Sequence, residues 1–99
     1  MGLIDRFVAL RDATAAALIE APGDVPPEVR RAIAFGTPPA DLAELVQKIR
    51  SNAWSVTDAD VDALRARYSE DELFEVIVAA AVGAAEHRLQ RALAAVEGA

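Results

Sequence analysis

The sequence predicts an all-α fold, a compact bundle of about five helices whose last member is long and rich in alanine. Three observations lead there. Apolar residues recur at three- and four-residue spacing, and no segment reads as a strand. Proline and glycine punctuate the periodic segments instead of interrupting them. Two capping boxes stand directly before helical runs. With 99 residues, the chain reads as one helical domain over residues 1–99.

The first helix is expected from about Leu3 to Glu20, with Leu3, Phe7, Leu10, Thr14, Ala17 and Leu18 along one face. Ala21-Pro22-Gly23-Asp24 ends it, because proline cannot continue a helix and glycine supplies the turn. Pro26-Pro27 opens a short second helix through Val29 and Ile33, closed by Gly36. Thr37-Pro38-Pro39 reads as the start of the third, a threonine cap followed by proline, with Leu42, Leu45, Val46 and Ile49 as its stripe and Asn52 as its terminator.

The next two starts are the best specified. Thr57 caps a helix whose third residue is Asp60, with Val56 and Val61 spaced as a hydrophobic staple. Ser69 to Glu72 is a full Ser-x-x-Glu box, with Tyr68 and Leu73 as its staple. The final helix then runs from about Glu70 to Val96. Its first half, from Leu73-Phe74-Glu75-Val76-Ile77-Val78 onward, is apolar on nearly every side and is expected to be the central buried helix. Gly83 lets another helix approach closely, and Leu89, Leu93 and Val96 form a stripe in the second half.

Composition narrows the function classes. Ten basic against sixteen acidic residues give a net charge of −6, which repels phosphate backbones. Lys48 is the single lysine and the arginines look scattered, so neither nucleic acid nor an anionic membrane is an expected partner. The absence of cysteine excludes disulfides, thiolate catalysis and cysteine metal sites. Met1-Gly2-Leu3-Ile4-Asp5-Arg6 does not read as a signal peptide, and Leu73–Ala85 is too short to span a bilayer. The expected compartment is the cytoplasm. A 54% hydrophobic content is high for a chain that buries only about 60–65% of its unfolded surface, so self-association is expected.

The segments Val56-Thr57-Asp58-Ala59-Asp60-Val61-Asp62-Ala63-Leu64 and Tyr68-Ser69-Glu70-Asp71-Glu72-Leu73-Phe74-Glu75 lead into the alanine-rich helix. Over residues 41–96 this pattern resembles the alkylhydroperoxidase D-like / carboxymuconolactone decarboxylase superfamily. The resemblance implies a helix, a Gly-Ser-x-x-Glu turn and a long alanine-rich helix. In the peroxidase branch it also implies a Cys-x-x-Cys pair, a nearby histidine and an upstream glutamate. Counting back from Ser69, the cysteines would fall near Ala53 and Val56, and the histidine near Ala59 or Asp60. None of these carries the chemistry, and Arg67-Tyr68 occupies the place of the glycine. Glu44 stands about where the upstream glutamate would. The decarboxylase branch relies on histidine, and His87 is on a different helix. No functional residue of the family transfers.

The residues themselves offer few candidates. Asp58, Asp60 and Asp62 mimic the opening of a calcium loop, but Ala63 and Ser69 stand where the loop needs glycine and glutamate. They read as first-turn acids favouring the helix dipole, and no metal site or cofactor is expected. His87 is the only histidine and is expected on the surface near Glu86 and Arg91. Glu75, among apolar neighbours, is expected to find an ion-pair partner or reach an exposed edge. Trp54 reads as a plug over the junction of the third and fourth helices, with a partner anchor as the alternative, shared with Tyr68. The preferred function is a non-catalytic interaction module, either a homo-oligomer or the small subunit of a complex with a catalytic relative. The alternative is a cysteine-free enzyme of the decarboxylase or peroxidase-like type using Glu75, Glu44 or His87. Convergence of Glu75, Trp54 and His87 on one concave site would favour the enzyme.

Overall fold

The computed structural model describes residues 3–98; within the first helix the side chains at 3, 4, 7, 8, 11, 14 and 15 fall outside the described set. The described residues form α1 (Leu3–Glu20), α2 (Pro27–Phe35), α3 (Ala43–Asn52), α4 (Asp58–Asp62) and α5 (Glu70–Gly98), with short 3-10 turns at Ala40–Leu42 and Ala53–Ser55. No strand occurs among them. At 1.5 Å per residue, the 29 residues of α5 span about 43 Å, which sets most of the long dimension of a molecule measuring 48 × 28 × 18 Å.

α2 and α3 both pack on one face of α5. That face is drawn from Leu73, Val76, Ala79, Ala80, Gly83 and Ala84, which repeat at three- and four-residue spacing. Against it lie Ile33 of α2, Leu45, Val46 and Ile49 of α3, and Leu42 from the turn before α3, with Val25 closing one end. Ile33, Leu42, Val46 and Val76 are almost wholly buried, each contributing about 1.5–3 kcal/mol of apolar burial. Gly83 is part of this packing for want of a side chain: a Cβ there would stand 2.0 Å from the Ala34 carbonyl oxygen.

The helix ends follow local chemistry. Gly36, at φ 100°, ends α2 in the left-handed conformation. Its amide donates to Ile33 O and the Thr37 amide donates to Ala32 O, the two bonds of a Schellman closure. At Thr57 the hydroxyl accepts from the Asp60 amide and the Asp60 carboxylate accepts from the Thr57 amide. At Ser69 the reciprocal pair joins the Glu72 amide to Ser69 Oγ (3.1 Å) and the Ser69 amide to Glu72 Oε1 (2.9 Å). Both capping boxes are therefore formed. Of the staple residues, Leu73 is buried and Val56, Val61 and Tyr68 are half-buried.

Four expectations are corrected. Thr37 does not start α3; its hydroxyl donates to Ala32 O, behind it. Each of Thr37 and Pro38 precedes a proline, which disfavours helical backbone, so helical structure resumes only after Pro39. α5 is not surrounded: Phe74 is 67% exposed, since a chain this small has too few elements to cover a helix on every side. On the expected α1 stripe, Leu10 and Leu18 are exposed, Ile19 is the buried position, and Leu3, Phe7 and Thr14 lie outside the described side chains. Trp54 is 83% exposed and plugs nothing. The turn after Asn52 leaves its indole exposed, and the core near the α3–α4 junction is completed instead by Val56, Leu64 and Tyr68.

Candidate functional site

Glu75 is half-buried on α5 and resolves as a clamp, not an ion-pair partner or free edge. Its Oε2 accepts from the amides of Asp24 (3.0 Å) and Val25 (3.2 Å) in the α1–α2 connection. The same connection is held from the other side by Arg30, a charged residue only 4% exposed. Arg30 Nε donates to Val25 O at 3.0 Å, Nη1 to Leu18 O at 3.4 Å, and Nη2 to Ala21 O. A cation over the last carbonyls of α1 satisfies orphan acceptors and complements the helix dipole. Sequence reasoning missed Arg30. Its signal was its position three residues before Ile33, on the face that α2 turns inward.

The remaining candidates are dispersed. The Glu44 side chain is 81% exposed, with Lys48 Nζ 3.8 Å away. His87 is exposed and lies twelve residues beyond Glu75 on α5, a rise of about 18 Å. Trp54 stands on its own exposed turn. Tyr68 donates its hydroxyl to Asp41 Oδ2 at 2.8 Å, which raises the phenol's pKa, with burial adding to the effect. Asp60 is fully engaged: its carboxylate takes the Thr57 amide and, at 2.9 and 3.0 Å, Lys48 Nζ. The Thr57 amide and then Lys48 lower its pKa, and Asp60 in turn raises that of Lys48. Asp62 pairs with Arg65. Among the described residues, no group of three or more His, Asp or Glu is arranged to hold a metal ion.

Two surfaces stand out. The first is the outer side of α5, about 180° from its buried face at 100° per residue. Phe74, Val78, Ala81, Ala85, Leu89, Ala92 and Val96 follow one another there at spacings of four, three, four, four, three and four. Phe74, Ala81, Ala85, Ala92 and Val96 are exposed, and Val78 and Leu89 half-buried. A repeat of eleven residues in three turns keeps such a stripe nearly straight on an ordinary helix.

The second is a groove of about 510 Å³ between α3 and α5, floored by Val46 and Ala84 and rimmed by Arg50, His87, Arg88 and Arg91. Arg50 Nη1 donates to Ala34 O at 2.8 Å, and Arg88 Nη2 donates to Arg50 O at 2.9 Å. No carboxylate lines this groove among the described residues. The arginines that look scattered in sequence are thus partly gathered in space, because the groove draws on two helices and sets Arg50 beside Arg88, 38 residues further along the chain.

No protein-family model matches the chain, and no curated protein or solved structure matches it either.

Proposed function

We propose that the chain is a non-catalytic helical interaction module that pairs with a second copy of itself through the outer stripe of α5. The observation that carries this reading is the alternation of sizes along the stripe. In an antiparallel pair related by a two-fold axis at Ala85, Ala85 meets its own copy, Ala81 faces Leu89, and Val78 faces Ala92. Large side chains then lie over small ones, which is how helices approach closely, and the two helix dipoles oppose. The exposed Phe74 and Val96 close the two ends of the seam. The dispersal of Glu44, Glu75 and His87 supports a non-catalytic role, and the net charge of −6 weighs against nucleic acid as a partner. Among the described residues no helix is long and apolar enough to cross a membrane. The exposed Trp54 supports a separate contact with a partner protein, since tryptophan is prominent among interface anchors.

Light scattering at micromolar concentration tests the pairing. The expected mass is about twice the 10.5 kDa of the chain, falling to the single value in Ala85→Glu, which sets two like charges on the axis. A wild-type mass of 10.5 kDa overturns the reading.

A further inference from the structure

The distribution of ion pairs is uneven. Arg31 pairs with Glu20, Lys48 with Asp60 and Glu44, Arg65 with Asp62 and Glu70, and Arg67 with Asp41. Arg50, Arg88 and Arg91 share one groove, and none has a carboxylate partner among the described residues. Among the described residues the side chains of His87 and Arg91 have no hydrogen-bond partner. Arg30 also lacks a carboxylate partner, but its guanidinium is spent on backbone carbonyls, whereas Arg50, Arg88 and Arg91 are gathered in one open groove. Glu86 lies in the adjoining pocket without pairing with any of them, and gathering like charges with no direct ion pair costs free energy that an anionic ligand would offset.

The geometry suits recognition as well as attraction. Arg50 is fixed by the bond of one terminal nitrogen to Ala34 O, on the closing turn of α2. Arg88 is fixed in the same way on Arg50 O. Each has further N–H groups available, and a guanidinium offers two parallel donors to a carboxylate or phosphate. Arg88 and Arg91 are three residues apart on α5 and so lie on neighbouring positions of one face, with Arg50 opposite on α3. The space of about 510 Å³ falls within the ordinary range for small-ligand sites.

We propose that this groove binds a small, multiply charged anion, a phosphate compound or a polycarboxylate, held by Arg50, Arg88 and Arg91 with His87 at the rim. The site is a binding site: its one lining hydroxyl, that of Ser51, donates to Gln47 O, and no carboxylate base lines it among the described residues. It is separate from the outer stripe of α5 and stands whether or not the chain pairs with itself.

The test is calorimetric titration of the purified chain with inorganic pyrophosphate and, separately, citrate, at constant ionic strength, with backbone amide shifts recorded alongside. Saturable binding of either probe, with one equivalent per chain and shifts centred on Ser51, Ala84 and Arg91, is the expected result. Pyrophosphate alone would assign the phosphate class, and citrate alone the carboxylate class. The double variant Arg88→Gln/Arg91→Gln should bind about tenfold more weakly or worse, as two charge-assisted contacts are lost. Both positions are exposed and glutamine is a good helix former, so its melting temperature should stay near that of the wild type. Arg91→Lys, which keeps the charge but not the fork, should lie between the two. Absence of saturable binding by either probe, equal affinity in the double variant, or the same shifts from sodium chloride alone overturns the proposal.

Discussion

Arg30 and Glu75 hold one residue from its two sides: Arg30 Nε donates to the carbonyl of Val25, and Glu75 Oε2 accepts from its amide. Opposite charges meet across one residue here, through two successive peptide groups, and not in a salt bridge. The connection between α1 and α2 is thereby fastened to α5, and its polar groups are satisfied beside the core.

Removing either holder should loosen this connection unequally. Arg30→Ala leaves three carbonyls without their donor and should cost about 3 kcal/mol or more in denaturant unfolding. Glu75→Ala should cost about 1–3 kcal/mol, with Glu75→Gln recovering part because its amide oxygen still accepts. Gly23 adds a control: a Cβ there would stand 1.6 Å from Glu75 Oε1, so Gly23→Ala must displace the carboxylate. Equal stability of all four variants would show that the clamp contributes nothing.

The contact between Gly83 and Ala34 makes a sharper demand. Gly83→Ala gains about 1 kcal/mol of helix propensity in isolation. In the folded chain the new methyl meets backbone, which cannot rotate away, so α2 and α5 must separate. A net loss of about 1–3 kcal/mol is expected by thermal or chemical melting. A stabilised variant would mean that the helices are not in close contact at this point.

Both capping boxes should be measurable. Ser69→Ala and Thr57→Ala should each cost about 1 kcal/mol, and Ser69→Asp should retain most of the cap. Melts unchanged by Ser69→Ala would place the start of α5 elsewhere.

The Lys48–Asp60 pair ties α3 to α4 in a pH-dependent way. With Asp60 held below its ordinary value, its contribution is present above the usual carboxylate range and lost as pH falls through the lowered pKa. With Lys48 held above its ordinary value, its contribution is present below the usual lysine range and lost as pH rises through the raised pKa. The contact is therefore supported between those limits. Carboxyl-detected NMR should find Asp60 titrating below the ordinary aspartate range, and Lys48→Met should move Asp60 upward. No movement in that variant would remove Lys48 as a cause.

The course of the helices was legible wherever local chemistry decides them. Gly36, Thr57 and Ser69 act through bonds only three to five residues long, and a linear reading reaches that far. What could not be read depends on contacts across the chain. Arg30 and Arg50 find backbone carbonyls 5–16 residues away, and the spacing of the arginines carries no trace of it. Phe74 and Trp54 look like core residues by hydrophobicity, yet both are exposed, because which apolar faces are covered depends on how many elements there are to cover them. The arginine groove is invisible along the chain for the same reason: it exists only where α3 meets α5.

The exposure of Trp54 has an optical consequence. It is the only tryptophan, so it dominates the near-ultraviolet emission of the protein. An indole already 83% in water has little further to go when the chain unfolds, and its emission maximum should start near that of the free amino acid. Fluorescence would then be almost blind to the melting of the core, and circular dichroism should report that event instead. The same blindness makes Trp54 a clean dye for docking: a blue shift in the folded protein would signal that something has covered the turn between α3 and α4.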